Sequence, residues 1–432
     1  MTEAQRRAGS RLTRLQRGLP TVVWATAWVS FFADVSTEMI YGVLPAFYLG
    51  TLSLSLVWLG LIEGSVETIV SITKLLSGFL SDRVGSRKGW MILGYALSAI
   101  AKPPLALVGS GIGAGVLRGA DRFGKGIRGS PRDALVSAAV GPETRGRAFG
   151  VQRALDHAGA LTGGVLAATL LIIGLASIRQ LFLFSILPGA IAVLIIVRYV
   201  PGRSASNDRP RSPPLREVLR SHGSGLGRYL LPAGVLALGN SSDILLLALC
   251  YRRFLDAGSS QRSALAMLPL LWALLHVVKA VGSTWGGTLS DRIGRLGVLR
   301  LAWLVYAGVY LGAALMAAGG PALMAWGLFP LYGLYTVLAE GPERALIADL
   351  APRESTRGTA YGLVHFVTGV LVLPATVLAA LVWETAGAAW AFGLDALLAL
   401  VAVGVLAWIS PGLRRQVRIA SGDGSHDAAD HR

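Results

Sequence analysis

Four carboxylates, Asp34, Glu38, Glu63 and Glu67, fall inside two long apolar stretches of this 432-residue chain. Glu63 and Glu67 stand one helical turn apart and so share a face. A third stretch carries Arg118, Asp121, Arg122, Lys125, Arg128, Arg132 and Asp133. Charges at that density are costly in hydrocarbon, so they must face protein or water. Burial between helices and an adjacent guanidinium shift the proton affinity of a carboxyl in opposite directions. Arg122 moving relative to Glu63, Glu67 or Asp34 is therefore a way to trade a proton for a solute. At helical spacing Arg118, Arg122, Lys125 and Arg132 form one rough stripe, which suits either an anionic solute or pairing with the carboxylates. Static ion pairs that only fix helix packing explain the same residues. Lys74 reads as a snorkelling cation near a helix end, and Lys102, before Pro103 and Pro104, as the mark of a kink.

Other chemistries lack their residues. The single cysteine, Cys250, cannot form an intrachain disulfide, and no Cys and His cluster has metal-site spacing. There is no Gly-x-x-x-x-Gly-Lys-[Ser/Thr] loop for direct use of ATP, and no paired nucleophile and base. The reading is of a protein that is not an enzyme and takes no cofactor beyond a proton gradient.

The elements that must position these charges are helices in a bilayer. The chain is 53% hydrophobic and 15% charged, with a mean hydropathy of +0.58, against roughly a quarter charged residues in soluble domains. Twelve stretches reach the ~20 apolar residues a crossing helix needs. They lie near residues 21–49, 56–80, 90–108, 112–140, 147–173, 180–199, 228–250, 263–286, 298–318, 322–349, 360–383 and 388–410. The first is too long for a signal peptide and is read as retained. The net charge of +16 is spread through short loops between these stretches, which speaks for topology and against a nucleic-acid partner. Alternate loops are rich in Lys and Arg, and those face the cytoplasm. Hence residues 1–20 read as a basic cytoplasmic N-terminus, 21–200 as one six-helix bundle, 201–227 as a Pro-, Ser- and Arg-rich cytoplasmic linker, 228–410 as a second bundle, and 411–432 as a cytoplasmic tail.

The halves repeat one another. The segment with Gly78, Asp82, Arg83, Gly85 and Arg87 returns as the segment with Gly287, Asp291, Arg292, Gly294 and Arg295. Pro131 with Ala134 and Leu135 returns as Pro342 with Ala345 and Leu346, and Asp34 has its counterpart in Asp243. The fold class is therefore an all-α membrane protein of twelve helices in two pseudo-symmetric bundles, with a solute site between them. The close approach allowed by Gly78 and the turns allowed by Gly85 and Gly294 fit short loops between neighbouring helices.

The doubled Gly-x-Leu-Ser-Asp-Arg-x-Gly segment, followed by Arg87 in the first copy and Arg295 in the second, resembles the loop signature of the major facilitator superfamily, and the resemblance extends over nearly the whole chain. The resemblance implies secondary transport by alternating access and a monomer, and it implies that Asp82, Arg83, Arg87, Asp291 and Arg292 latch the cytoplasmic end. Arg122-Phe-Gly-Lys125-Gly126 is similar to the family's helix-4 motif, whose Arg is linked to proton coupling, with Lys125 in place of the usual amide. The resemblance places Asn240, Asp243, Trp272, His276, Lys279, Glu340, Glu343 and Arg344 on cavity-lining helices. His276 and Lys279 pairing with Asp243, or Glu343 with Arg344 forming a helix-end charge cluster, explains those residues as well. In helix 5, Gly146, Gly159, Gly163 and Gly164 match a degenerate form of the antiporter motif, or serve close packing. The expected function is proton-coupled transport of a small solute across the inner membrane, with export favoured over import of an organic anion, and a non-transporting sensor as the remaining alternative.

Overall fold

The computed structural model describes residues 18–84, 87–141, 144–202, 223–351 and 354–421, and among them there is no β-strand. The helices are α1 (Thr21–Tyr41), α2 (Leu56–Val84), α3 (Arg87–Ala101), α4 (Gly111–Ala139), α5 (Arg145–Ile172), α6 in two segments (Ile178–Phe184 and Ile186–Tyr199), α7 in two segments (Gly223–Leu238 and Asp243–Asp256), α8 (Gln261–Ile293), α9 (Arg295–Ala317), α10 (Ala325–Leu350), α11 (Glu354–Ala386) and α12 (Ala388–Ser421). Beyond Gly42, α1 continues through Leu44–Ala46 and a wider turn, Phe47–Thr51.

In lipid only a helix satisfies its own backbone, which is why every apolar stretch winds into one. Hydroxyl caps start several of them. Ser110 Oγ accepts from Gly113 N at 3.2 Å to open α4, and Ser260 Oγ accepts from Ser263 N at 3.1 Å to open α8. Gly294 turns α8 into α9 with a φ of 85°, in the left-handed region that a side chain disfavours.

Ten helical stretches among the described residues are long and apolar enough to cross a membrane. The two expected crossings outside that set are α1, which carries Asp34 and Glu38, and α4, which carries the run of charges. Both are interior: α1 packs on α5 and α6, and α4 packs on α2 and α3. Besides an apolar core, large apolar side chains cover the outside and charges lie within. Leu107 is 85% exposed while Arg118 is 0% exposed, as expected when the surroundings are hydrocarbon and the interior must hold the charge.

The first half is built from contacts of α1 with α5 and α6 and of α4 with α2 and α3; the second from α9 with α10 and α12, α8 with α10, and α7 with α11 and α12. The seam between halves is α2 against α11 and α5 against α8. The end with the α2–α3 and α8–α9 turns is called the motif end, and the opposite one the far end. At the far end the second segment of α7 packs on Leu44–Ala46 of α1, and Val57 N donates to Glu384 Oε1 at 3.1 Å across the seam.

The seventh stretch differs from the expected single span near 228–250. It begins at Gly223 and is interrupted between Leu238 and Asp243. The backbone groups freed at this break are met by side chains: Tyr306 Oη donates to Gly239 O at 2.8 Å, Tyr310 Oη to Ser241 O at 3.3 Å, and Ser242 N donates to Thr376 Oγ1 at 3.0 Å. Ser241 Oγ donates to Asp395 Oδ2 at 2.6 Å. Such irregular backbone survives at membrane depth only where protein supplies these partners. Cys250, wholly buried, lies in the second segment of α7.

Candidate functional site

Residues from α2, α3 and α4 meet in a sealed ionic cluster inside the first half. Arg118 Nε donates to Glu63 Oε1 at 3.0 Å and Nη2 to Oε2 at 2.8 Å, a two-pronged pair, while Nη1 reaches Asp121 Oδ2 at 3.1 Å. Tyr48 Oη donates to Glu63 at 2.8 Å, Ser98 Oγ donates to Asp121, and Lys102 Nζ stands 4.0 Å from Asp121 and 3.3 Å from Thr37 Oγ1. Arg122 Nε is 4.0 Å from Asp121 Oδ2, and its guanidinium lies 5.8 Å over the Tyr41 ring. Each of these ionised groups is nearly or wholly buried. With every carboxylate oxygen of Glu63 bonded, this cluster has the geometry of a framework.

The remaining first-half candidates face the seam. Lys125 is exposed, makes no ion pair among the described residues, and lies within electrostatic reach of Glu67, Asp34 and Glu38. Asp34 and Glu67 are half-buried and form no hydrogen bond or ion pair among the described residues. Glu38 Oε2 accepts from Trp272 Nε1 at 2.7 Å, tying α1 to α8 of the other half. Trp272 packs at 4.8 Å from the Tyr41 ring and 5.6 Å from His276, and His276 faces His157 of α5 at 5.7 Å. Both ring nitrogens of His276 are buried without a hydrogen-bond partner among the described residues.

Toward the motif end a cleft of about 150 Å³ opens between α5, α8 and α10, lined by Arg153, His157, Lys279, Thr336, Glu340 and Arg344. Lys279 Nζ holds Glu340 Oε1 at 2.9 Å, so the expected alternative partner of Lys279, Asp243, is not the one it takes. Asp243 instead accepts from Tyr332 Oη. Glu343 points away from the cleft and accepts from Tyr229 Oη at 2.7 Å.

At the motif end, the side chains of Asp82, Arg83 and Asp291 lie outside the described residues, as does Gly85, while Gly78 falls within α2. Arg87 is buried at the head of α3 with Nη1 3.4 Å from Ala134 O, and Arg295 at the head of α9 donates to Ala345 O at 2.7 Å, the same contact in each half. Arg292 is exposed. Within α5, a Cβ on Gly163 would meet Val35 O of α1 at 2.7 Å and one on Gly164 would meet Pro269 O of α8 at 2.8 Å, so these glycines let α5 approach α1 and α8 closely.

Two halves joined along paired helices, with charged groups of both converging on a cleft at the seam, define an architecture, and a sequence model described as Major Facilitator Superfamily matches residues 26–367. The chain belongs to the major facilitator superfamily. An uncharacterized MFS-type transporter of Methanocaldococcus jannaschii is 33% identical over 85% of this chain and 90% of that relative. An uncharacterized protein of Mycobacterium tuberculosis is 30% identical over 70% of this chain and 72% of its own length. Among solved structures, a POT family transporter in complex with a thioalcohol-conjugated peptide superposes with a TM-score of 0.75 at 11% identity, covering 90% of this chain and 96% of that one. A nucleoside transporter gives 0.72 at 13% identity, covering 91% and 99%. These likenesses show the fold. As a multi-pass member of this superfamily, the protein is a membrane transporter for a small molecule.

Sequence reasoning missed several residues of this MFS transporter's interior. Lys102 is a member of the ionic cluster and not only the mark of a kink. Its neighbour Asp121 stands one turn from Arg118, a spacing that signals the pair they form. Counting from Arg87 and Arg295, Ser98 and Lys102 are equivalent to Tyr306 and Tyr310; counting from Pro131 and Pro342, Arg118 and Asp121 are equivalent to Phe329 and Tyr332. The second half therefore holds an aromatic cluster where the first holds its charges, with Tyr306 stacked on Tyr310 at 4.4 Å and Tyr332 on Tyr335 at 5.7 Å.

Proposed function

We propose that this transporter moves a small charged solute by alternating access, driven by the proton gradient, in the inner membrane with both termini cytoplasmic. We take export as its direction, the one the degenerate α5 motif favours, and the monomer as its working form. The observation that carries the reading is the set of groups at the seam: Asp34 and Glu67 without fixed partners, beside the exposed ammonium of Lys125. A coupling carboxylate must be free to exchange partners between two states, which a group locked as Glu63 is cannot do without breaking a buried pair. Asp34 and Glu67 are accordingly the proton carriers in this scheme, and Lys125 and Arg122 the cations they leave and rejoin. The Glu38–Trp272 bond joins the halves in the present conformation and opens when they rock apart.

The test is solute-driven proton movement in proteoliposomes with a trapped pH-sensitive dye, across organic anions, amino acids and cationic drugs. Asp34→Asn or Glu67→Gln should abolish proton movement while leaving solute counterflow. Solute flux without proton movement in the unaltered protein would refute the coupling, and no flux with any solute would favour the sensor alternative. The sign of the dye response for a solute loaded inside or outside distinguishes export from import.

A further inference from the structure

We propose that the cleft at the motif end binds a small anion carrying two negative charges, a phosphate or a dicarboxylate, between Arg153 of one half and Arg344 of the other. The proposal rests on the transport reading above and names the substrate class of that same seam.

The lining of the cleft includes three cations, Arg153, Lys279 and Arg344, against one carboxylate, Glu340. That carboxylate is already engaged by Lys279 at 2.9 Å. Two further acids lie within electrostatic reach of Arg344, Asp133 and Glu343; Asp133 is held by its neighbour Arg132 at 2.9 Å, and Glu343 accepts from Tyr229 Oη at 2.7 Å. Neither Arg153 nor Arg344 makes a side-chain hydrogen bond or ion pair among the described residues, although the two lie within electrostatic reach of each other and of Lys74 on α2. Lys74 is likewise exposed and unpaired among the described residues. Positive charge from α2, α5 and α10 thus meets across the seam, and the carboxylates within reach of Arg344 and Lys74 are each engaged by another group.

The geometry assigns the missing charge to a ligand. Arg153 and Arg344 belong to different halves, so closing this end brings like charges together, which is unfavourable unless an anion enters between them. A guanidinium presents a planar fork of donors that matches paired oxygens of a carboxylate or phosphate, and two such forks favour an anion with charge at both ends. The Arg344 backbone is fixed for this, its carbonyl accepting from Tyr361 Oη at 2.8 Å. The space of about 150 Å³ lies below the ~300 Å³ at which pockets begin to take drug-sized molecules. A cationic amphiphile would meet the wrong charge and too little room.

The experiment is thermal unfolding of the purified full chain in detergent, titrated with inorganic phosphate and with succinate at constant ionic strength set by chloride. Saturable stabilisation is expected with either anion, and none with tetraethylammonium. Arg153→Gln and Arg344→Gln should each weaken the apparent affinity about tenfold or more, the loss of a charged hydrogen bond, with Arg344→Lys intermediate and Arg300→Gln, outside the cleft, unchanged. No stabilisation by either anion, or equal stabilisation of both glutamine variants, would overturn the proposal. Counterflow of the same anions in proteoliposomes separates the two readings. Binding that depends on both arginines without any solute flux would leave the anion site standing and remove the transport reading. Flux of a cation or a neutral sugar with no anion binding would do the reverse.

Discussion

The indole of Trp272 donates to the carboxylate of Glu38 over 2.7 Å, a hydrogen bond between helices that the sequence places 234 residues apart. It crosses between the halves and lies inside neither, so the rocking motion proposed above would break it. A hydrogen bond to a charged group contributes about 1.5–3 kcal/mol.

Trp272→Phe keeps an aromatic ring while deleting the donor. It should shift the equilibrium between the two conformations about tenfold or more away from the present one. Electron-spin distances between labels at Thr51 and Ala257, which flank the far-end contact, would lengthen in the variant. An unchanged distance distribution would show that the bond does not bias the states.

The Arg118–Glu63 pair should dominate the stability of the first half. Glu63→Gln or Arg118→Gln leaves an uncompensated buried charge and should cost about 3–5 kcal/mol, whereas Glu63→Leu combined with Arg118→Met should recover most of it. Denaturant unfolding of the three variants decides the matter. Equal losses in single and double variants would mean that the cluster is held by something other than this pair.

Two glycines of α5 should respond oppositely. A Cβ at Gly163 would sit 2.7 Å from Val35 O, while one at Gly146 would have nothing within 4 Å. Gly163→Ala should destabilise by about 1–3 kcal/mol through overpacking, and Gly146→Ala should be neutral or stabilising by up to about 1 kcal/mol. Melting temperatures that move in the same direction for both would contradict the packing role.

Tyr332→Phe removes the only side-chain hydrogen bond that Asp243 makes among the described residues. The change should lower stability by about 1–3 kcal/mol, and Tyr332→Phe with Asp243→Asn should be less destabilised than the single change. Unfolding midpoints for the cycle test it, and strict additivity would show the two residues to be independent.

The helices and their duplication were legible because hydropathy is a local property and repeats need no structure to be seen. Thus α4 was expected near 112–140 and is found at Gly111–Ala139. The break in α7 was not legible: Gly239, Asn240, Ser241 and Ser242 are tolerable within a helix, and what opens them is a pair of tyrosines, a threonine and an aspartate arriving from α9, α11 and α12. The site was legible only as an inventory. Spacing placed Glu63 and Glu67 on one face, but their fates differ because Arg118, Tyr48 and Glu63 converge through contacts 55 and 15 residues apart in the chain. Lys102 shows the same blindness, since a cation beside two prolines signals a bend and says nothing of the acid that a neighbouring helix brings to it.

Cys250, wholly enclosed in the second segment of α7, makes the native transporter nearly silent to water-borne thiol reagents. Any single cysteine introduced at the surface would be read against that quiet background without first removing the natural one. Were Cys250 itself to begin reacting during turnover, the chemistry would report that this segment had left its packing beside α1, a clock for far-end opening that the protein already carries.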